Sequence, residues 1–186
     1  SAGATSYSCT GACPPGKFAF KDWYTEQMQC NSCRVGKYGS EGVCVDCSPG
    51  TYASSEGAPT CSKCQRGKMT NSTGSGECRM CLTGTTPSIH SDACDKCAPG
   101  RRGHRGGLCI PCEPGRFQSM AGGLSCVKCT AGKSTGQEHQ ASCTPCAKGK
   151  FSWPGYDKCA SCQGAHFQDQ EGAPKCKTCP PGKFSV

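Results

Sequence analysis

Large apolar side chains are scarce in this chain of 186 residues. Leu, Ile, Val and Phe together number 16, about 9% of the sequence, whereas an ordinary globular domain has at least about 20%. Burying so little apolar surface cannot offset the entropy that is lost when the backbone becomes ordered. The composition therefore excludes a domain held together by a conventional hydrophobic core.

Long apolar segments are also missing. No segment approaches the roughly 20 apolar residues that a membrane-spanning helix needs, and the first residues, SAGATS, have neither the charged nor the apolar part of a signal peptide. No segment shows a sustained 3.6-residue period of apolar positions, so almost no helix is expected. We interpret the chain as mature extracellular material or a fragment of it.

Cysteine is abundant where apolar residues are not. The chain has 22 Cys, 26 Gly and 13 Pro, and about 12% Cys is typical of a disulfide scaffold. Because disulfides persist outside the cell and are rare in a reducing cytosol, the count predicts an extracellular or cell-surface protein. The net charge of +8, from 21 basic and 13 acidic residues, is modest and does not call for a nucleic-acid partner.

The cysteines define an internal repeat. After Cys9 and Cys13, every later cysteine belongs to a C-x-x-C pair, and the pairs begin 14 to 17 residues apart. The pairs start at Cys30, Cys44, Cys61, Cys78, Cys94, Cys109, Cys126, Cys143, Cys159 and Cys176. We divide the chain into an N-terminal segment, 1–8, ten repeats, 9–29, 30–43, 44–60, 61–77, 78–93, 94–108, 109–125, 126–142, 143–158 and 159–175, and a partial eleventh, 176–186.

Each repeat also has a turn and a basic–aromatic step. A Gly follows the second cysteine by three residues in every repeat except one, which has Gly164 one place early, and the consensus reads C-x-x-C-x-x-G-K-F/Y. Pro-Gly, as in Pro49-Gly50, is a strong turn signal, and Gly tolerates positive φ. The basic–aromatic residues favour a short strand, and the ring is expected to lie over a disulfide. Each repeat is thus predicted to be a small β-hairpin.

Regular spacing constrains the cysteine pairing without fixing it. Bonds within a C-x-x-C pair would form strained, redox-type rings, and a crossed scheme grouping repeats in twos predicts an alternation of segment lengths that is absent. The favoured scheme joins the second cysteine of one repeat to the first of the next, namely Cys13–Cys30, Cys33–Cys44, Cys47–Cys61, Cys64–Cys78, Cys81–Cys94, Cys97–Cys109, Cys112–Cys126, Cys129–Cys143, Cys146–Cys159 and Cys162–Cys176. It leaves Cys9 and Cys179 as candidates for disulfides outside the chain.

Metal binding and catalysis are alternatives that the pattern does not favour. C-x-x-C pairs at such spacing are a zinc signature, but eleven consecutive repeats with Pro-Gly turns suit a disulfide ladder. The histidines, His90, His104, His139 and His166, are scattered and form no catalytic motif. We predict no catalytic residue, no metal site and no cofactor.

The consensus resembles the ephrin-receptor-like cysteine-rich repeat, which is similar in appearance to the modules of tumour-necrosis-factor receptors and to EGF-like modules. The clearest match is Cys47-Ser48-Pro49-Gly50-Thr51-Tyr52, followed by Glu56-Gly57 and Cys61. The repeat from Cys78, with Thr85-Thr86, and the repeat from Cys94, with Arg101-Arg102, depart from it. Such repeats imply extended extracellular rods in adhesion proteins, receptor ectodomains and protist surface or flagellar-hair proteins.

The predicted fold is therefore an array of small disulfide-rich repeats, an elongated solenoid or rod of short β-hairpins. The predicted function is structural: a stalk, spacer or filament subunit, of the cell-surface-fibre or flagellar-hair type, whose partners are other copies or other subunits of an extracellular assembly. The alternative is a receptor or adhesion ectodomain that binds a protein or an acidic glycan.

Two surface features have a predicted chemistry of their own. Asn71-Ser72-Thr73 is an N-x-S/T sequon, so Asn71 is a candidate glycosylation site. Arg101, Arg102 and Arg105 form the densest basic tract and are a candidate polyanion contact, against the simpler interpretation of solubilising charge.

Overall fold

The computed structural model describes residues 13–183 of the chain. Over that range the backbone forms twenty short strands and no helix, and so no helix there is able to cross a membrane. The strands are β1 (Lys17–Lys21), β2 (Met28–Ser32), β3 (Lys37–Ser40), β4 (Val43–Asp46), β5 (Thr51–Tyr52), β6 (Ser62–Lys63), β7 (Lys68–Met69), β8 (Arg79–Met80), β9 (Thr85–Pro87), β10 (Cys94–Lys96), β11 (Arg101–His104), β12 (Leu108–Pro111), β13 (Arg116–Phe117), β14 (Val127–Lys128), β15 (Lys133–Ser134), β16 (Thr144–Pro145), β17 (Lys150–Phe151), β18 (Ala160–Ser161), β19 (His166–Phe167) and β20 (Lys177–Thr178).

Consecutive strands pair to form ten two-stranded sheets in the described range. The two positions of the basic–aromatic step lie in the first strand of each hairpin, whichever residues occupy them. In the third hairpin, Thr51 lies opposite Lys63 and Tyr52 opposite Ser62, antiparallel. A Pro-Gly turn precedes this strand: the Thr51 N–H donates to the Ser48 carbonyl at 3.0 Å, and Gly50 has φ of 81°. Pro at the second position and a positive φ at the third are typical of a type II turn.

Each hairpin is closed by one disulfide. The ten bonds join Cys13–Cys30, Cys33–Cys44, Cys47–Cys61, Cys64–Cys78, Cys81–Cys94, Cys97–Cys109, Cys112–Cys126, Cys129–Cys143, Cys146–Cys159 and Cys162–Cys176. We number the hairpins 1 to 10 in this order. The bonds follow the pairing that the spacing favours, and the predicted fold class of small disulfide-rich β-hairpin repeats is confirmed.

Most of the buried apolar residues that the structure describes are cysteines, and none is an aromatic residue. In eight of the ten described hairpins, the cysteine that begins the hairpin is buried, as at Cys33, Cys47 and Cys129, each with no exposed surface. The rings at the basic–aromatic step are only half-buried, as at Tyr52 and Phe117. The disulfide therefore provides the centre that the sequence assigns to a ring packed over it.

Backbone hydrogen bonds explain why these cysteines are buried. The Cys129 N–H donates to the carbonyl of Gly115 in the preceding hairpin at 2.9 Å, and the Cys129 carbonyl accepts from Gly155 in the following hairpin at 2.8 Å. Cys47 makes the same two bonds, with Gly36 and Gly74, and Cys112 makes them with Gly100 and His139. A buried cysteine of this kind thus links three consecutive hairpins through its backbone while its sulfur closes its own hairpin.

The residue after the aromatic position completes the contact between neighbours. Its carbonyl accepts from the turn glycine of the preceding hairpin, as in Gly132 N–H to Ser152, 2.9 Å, and Gly115 N–H to Thr135, 2.8 Å. Ser152 is fully buried, and its hydroxyl donates to the Lys133 carbonyl at 3.0 Å. Because these side chains are satisfied by backbone partners, polar residues are tolerated at a buried position.

The described residues form two compact units. One contains residues up to Cys81 together with Pro87–Cys94, and includes hairpins 1 to 4; the other contains Leu82–Thr86 and the residues from Asp95 onward, and includes hairpins 6 to 10. Within each unit the same glycine and cysteine backbone bonds recur from hairpin to hairpin.

Candidate functional site

Clefts lie between successive hairpins at the basic–aromatic step. Between hairpins 1 and 2, Phe18 at the aromatic position of β1 faces Arg34 and Lys37 of the next hairpin, in a cleft of about 340 Å³. The aromatic position of hairpin 1 and the basic position of hairpin 2 are brought together because the two hairpins hydrogen-bond at the turn glycine, where the Gly16 N–H donates to the Gly39 carbonyl at 3.1 Å.

The cleft between hairpins 9 and 10 is the largest of the three, about 420 Å³, and is lined by aromatic residues. Phe151 and Trp153 meet edge to face, with ring centroids 5.8 Å apart and an interplanar angle of 81°. Gln163, His166 and Lys175 line the same cleft, and His166 Nδ1 is 3.1 Å from the Gln163 carbonyl oxygen. An aromatic wall with polar neighbours is therefore exposed to solvent here.

A third cleft, of about 290 Å³, lies between hairpins 6 and 7; we call it the two-arginine cleft. Arg102 stands at the aromatic position of β11, and Arg116 begins β13 at the basic position of the next hairpin; both line this cleft, with Glu113 and Leu124. Arg116 Nη1 donates to the carbonyl of Cys126 at 3.3 Å. Two arginines thus line this cleft, whereas the first cleft has a phenylalanine ring opposite cationic residues.

The three arginines of the predicted polyanion tract lie in different surroundings. Arg101 Nη1 donates to the carbonyl of Cys109 in its own hairpin at 3.3 Å, and Arg105 lies exposed in the turn between β11 and β12. Of the three arginines, Arg102 is the one that lines the two-arginine cleft. Sequence reasoning missed Arg116 as its companion; the signal was an arginine at an aromatic position of the repeat, followed by a basic position one hairpin later.

The remaining predicted residues lie apart from one another. Asn71 is exposed, and its Oδ1 accepts a hydrogen bond from the Ser72 hydroxyl at 3.2 Å. The four histidines are all exposed and belong to different hairpins: His90, His104, His139 and His166. The structure brings none of these together with a shared partner.

The two unassigned cysteines have different outcomes. Cys179 is unpaired and half-buried, and its N–H donates to the Ala165 carbonyl at 2.7 Å, the bond that other hairpin-starting cysteines make to a turn glycine. Cys9 lies outside the described residues. A disulfide from either cysteine to another chain remains a proposal.

Charged pairs in the described range are few and exposed. They join Lys21 to Glu26, Lys37 to Asp46 and Lys177 to Asp169. The Lys177 ammonium lies 2.6 Å from an Asp169 carboxylate oxygen, and this hydrogen bond lowers the pKa of Asp169 below its ordinary 3.8. A hydrogen bond from the Ser88 hydroxyl, 2.5 Å away, lowers the pKa of Asp92.

Comparison with known families finds a match in each compact unit. A family model described as tyrosine-protein kinase ephrin type A/B receptor-like matches residues 36–76 and 103–141. The first segment lies in the first compact unit and the second in the other. A search of curated proteins finds no match to the chain.

Proposed function

We propose that this array of ephrin-receptor-like cysteine-rich repeats is a structural segment of an extracellular protein: a disulfide-laddered stalk, spacer or filament subunit. The observation that carries the proposal is the recurrence of one linking unit, a buried cysteine whose backbone joins the preceding and following hairpins. The disulfides and the family match support an extracellular location. The elongated rod predicted from the sequence is part of the proposal.

The disulfides suit such a role because they limit how far the chain can be stretched. In the oxidised chain, tension would pass through each three-residue C-x-x-C step and then across a disulfide whose Cα atoms are 5.5–5.9 Å apart. That path is about 16 Å per repeat, against about 55 Å for a fully extended 17-residue repeat without the bond. A segment built in this way resists elongation even after its hairpins open.

Single-molecule stretching tests this mechanical role. The fully stretched length of the oxidised array is expected to be no more than about 16 Å per repeat. Added reductant is expected to release about 40 Å of further length for each hairpin. Release of that longer length without reductant would contradict the ladder. Immunogold labelling of intact cells with an antibody to this chain then tests the location: label on surface fibres or stalks is expected, and label found only after permeabilisation would overturn the proposal.

A receptor or adhesion ectodomain is the second candidate, and the clefts favour it. The three clefts occupy the same place in the repeat, yet one pairs a phenylalanine with cations, one has an aromatic wall and one has two arginines. A purely structural array does not need this variation, whereas a binding surface uses it. The partner in this case is a protein or an acidic glycan.

Asn71 is proposed to carry an N-linked glycan, because it lies in an N-x-S/T sequon and is exposed.

A further inference from the structure

We propose that the two-arginine cleft between hairpins 6 and 7 binds an acidic sugar residue of a sulfated or uronic-acid-containing glycan, with Arg102 and Arg116 holding its anionic group. A stalk or spacer does not require such a site, so the inference goes beyond the structural role; it rests on the second candidate function and assigns a ligand to one of its clefts.

The first observation is a substitution within the repeat pattern. The position of Arg102 is occupied by a half-buried aromatic ring in six other described hairpins: Phe18, Tyr38, Tyr52, Phe117, Phe151 and Phe167. A ring at this position is a large apolar group. Arg102 is also half-buried, so a cation replaces that apolar group at the same depth.

The second observation is that this cation has no partner of opposite charge. The three ion pairs found within residues 13–183 involve neither Arg102 nor Arg116. Across the hairpin, Arg116 lies directly opposite Lys128, and like charges in that position repel. Glu113 contributes the one carboxylate among the residues lining the cleft. The cleft therefore has an excess of positive charge that the fold does not neutralise.

The third observation is that one of the two guanidinium groups is held in position. Arg116 Nη1 donates to the carbonyl of Cys126, and Cys126 is bonded to Cys112 at the start of the same hairpin. A guanidinium group has five N–H donors in a planar fork that matches sulfate or carboxylate. With one donor anchored to the backbone, the remaining donors are available without a large loss of side-chain entropy.

The apolar part of the lining favours a sugar as the body that carries the anion. Pro111 and Leu124 line the same cleft, and Leu124 is 60% exposed. The C–H face of a sugar ring can pack against such a wall while its acidic group reaches the arginines. A volume of about 290 Å³ lies near the lower end of small-ligand sites, roughly 300–1,000 Å³, which suits a single sugar residue.

Calorimetric titration of the full oxidised chain with two probes tests the site. The probes are a heparin-derived tetrasaccharide, which carries sulfate, and an oligogalacturonate, which carries only carboxylate. Binding of at least one is expected and should weaken at least about tenfold in R102F and in R116Q, since each loses a charge-assisted hydrogen bond. R102F restores the ring of the other repeats and is expected to keep the fold. E113Q is expected to bind more tightly, because it removes the opposing carboxylate.

R101A and R105A are matched controls, because each removes the same charge from the same tract outside the cleft. They are expected to bind within about twofold of the unchanged protein. Equal weakening in all four arginine variants would replace the site by non-specific attraction to net charge and overturn the proposal. Tight binding of a poly-glutamate peptide without binding of either oligosaccharide would assign the cleft to an acidic protein and also overturn it, as would no binding of any probe.

Discussion

The position of a Cβ atom on Gly115 lies closer than 3.0 Å to the carbonyl oxygen of Gly155, which belongs to the second hairpin after its own. A turn glycine therefore does two things in this array. It adopts the positive φ of its turn, 78° at Gly115, and it allows a hairpin two places along the chain to approach its backbone. The same approach recurs at Gly132, toward Gly172.

Replacing Gly115 by alanine is expected to destabilise the array by more than the strain of positive φ alone. That strain costs about 1–2 kcal/mol, and a clash with a backbone carbonyl adds about 1–3 kcal/mol, as overpacking does. The measurement is hydrogen exchange at the amides of hairpin 7, which carries the substitution, and at the Gly155 amide, which bonds to Cys129. The protection factors should fall at both places in G115A.

Gly149 offers a matched control for this change. It has φ of 75° and the same place in the repeat, but no described atom lies within 4 Å of its Cβ position. G149A should therefore show the positive-φ cost alone. Equal losses in G115A and G149A, each measured at its own hairpin, would mean that the close approach to Gly155 is unimportant.

Much of this fold was predictable because covalent chemistry leaves a visible pattern in a sequence. The C-x-x-C spacing indicated one bond between successive repeats, and Pro49-Gly50 indicated a turn with positive φ, since both depend on residue types that have few other uses. The contacts between hairpins were not predictable: Gly115 to Thr135 and Cys129 to Gly155 are backbone bonds, which any residue can make. The burial of Ser152 likewise depends on a backbone acceptor and not on hydrophobicity.

The candidate site was only partly predictable for a related reason. The sequence marked Arg101, Arg102 and Arg105 as one basic tract, but alternate residues of a strand point to opposite faces. Arg101 consequently bonds to its own hairpin while Arg102 lines the cleft with Arg116, fourteen positions later. Neighbours in sequence are separated, and positions one repeat apart are brought together.

Tryptic digestion without reduction gives a direct test of one rung of the ladder. Trypsin cuts after Lys63, Arg66, Lys68 and Arg79, so the Cys64–Cys78 bond predicts that the tripeptide 64–66 is linked to the peptide 69–79. A crossed scheme would link Cys64 to a different peptide, and finding that product would contradict the ladder. The 69–79 peptide also contains Asn71, so a glycan there would be detected as added mass removed by an amidase.

Acid titration is expected to report the contact between Asp169 and Lys177. The hydrogen bond from the Lys177 ammonium lowers the pKa of Asp169 below its ordinary 3.8. Because the pKa of Asp169 is lower in the folded state, the contact with Lys177 contributes to stability above pH 3.8, and this contribution is lost as the pH falls through the lowered pKa. NMR titration of the Asp169 carboxyl carbon should show this, and K177Q should raise its pKa toward 3.8.

Lys175 provides the control for that titration, because it is a neighbouring lysine on the same hairpin that does not contact Asp169. K175Q should leave the Asp169 titration almost unchanged. An equal shift in both variants would attribute the lowered pKa to general positive charge. Neither variant should change overall stability measurably, since exposed ion pairs contribute little.

Removing one disulfide tests whether cysteine replaces the hydrophobic core. In C129A/C143A both sulfurs of hairpin 8 are lost, while the backbone bonds of residue 129 to Gly115 and Gly155 remain available. Opening a loop of 14 residues costs about 3 kcal/mol through the added freedom of the unfolded chain. Hydrogen exchange should accelerate at the amides of hairpin 8 and its neighbours.

C179A is the control for this pair of substitutions. It should change the free energy of exchange by less than about 0.5 kcal/mol, because Cys179 is unpaired. If the two variants exchange alike, the backbone bonds alone hold the hairpins, and the sulfurs are not what compensates for the missing apolar residues.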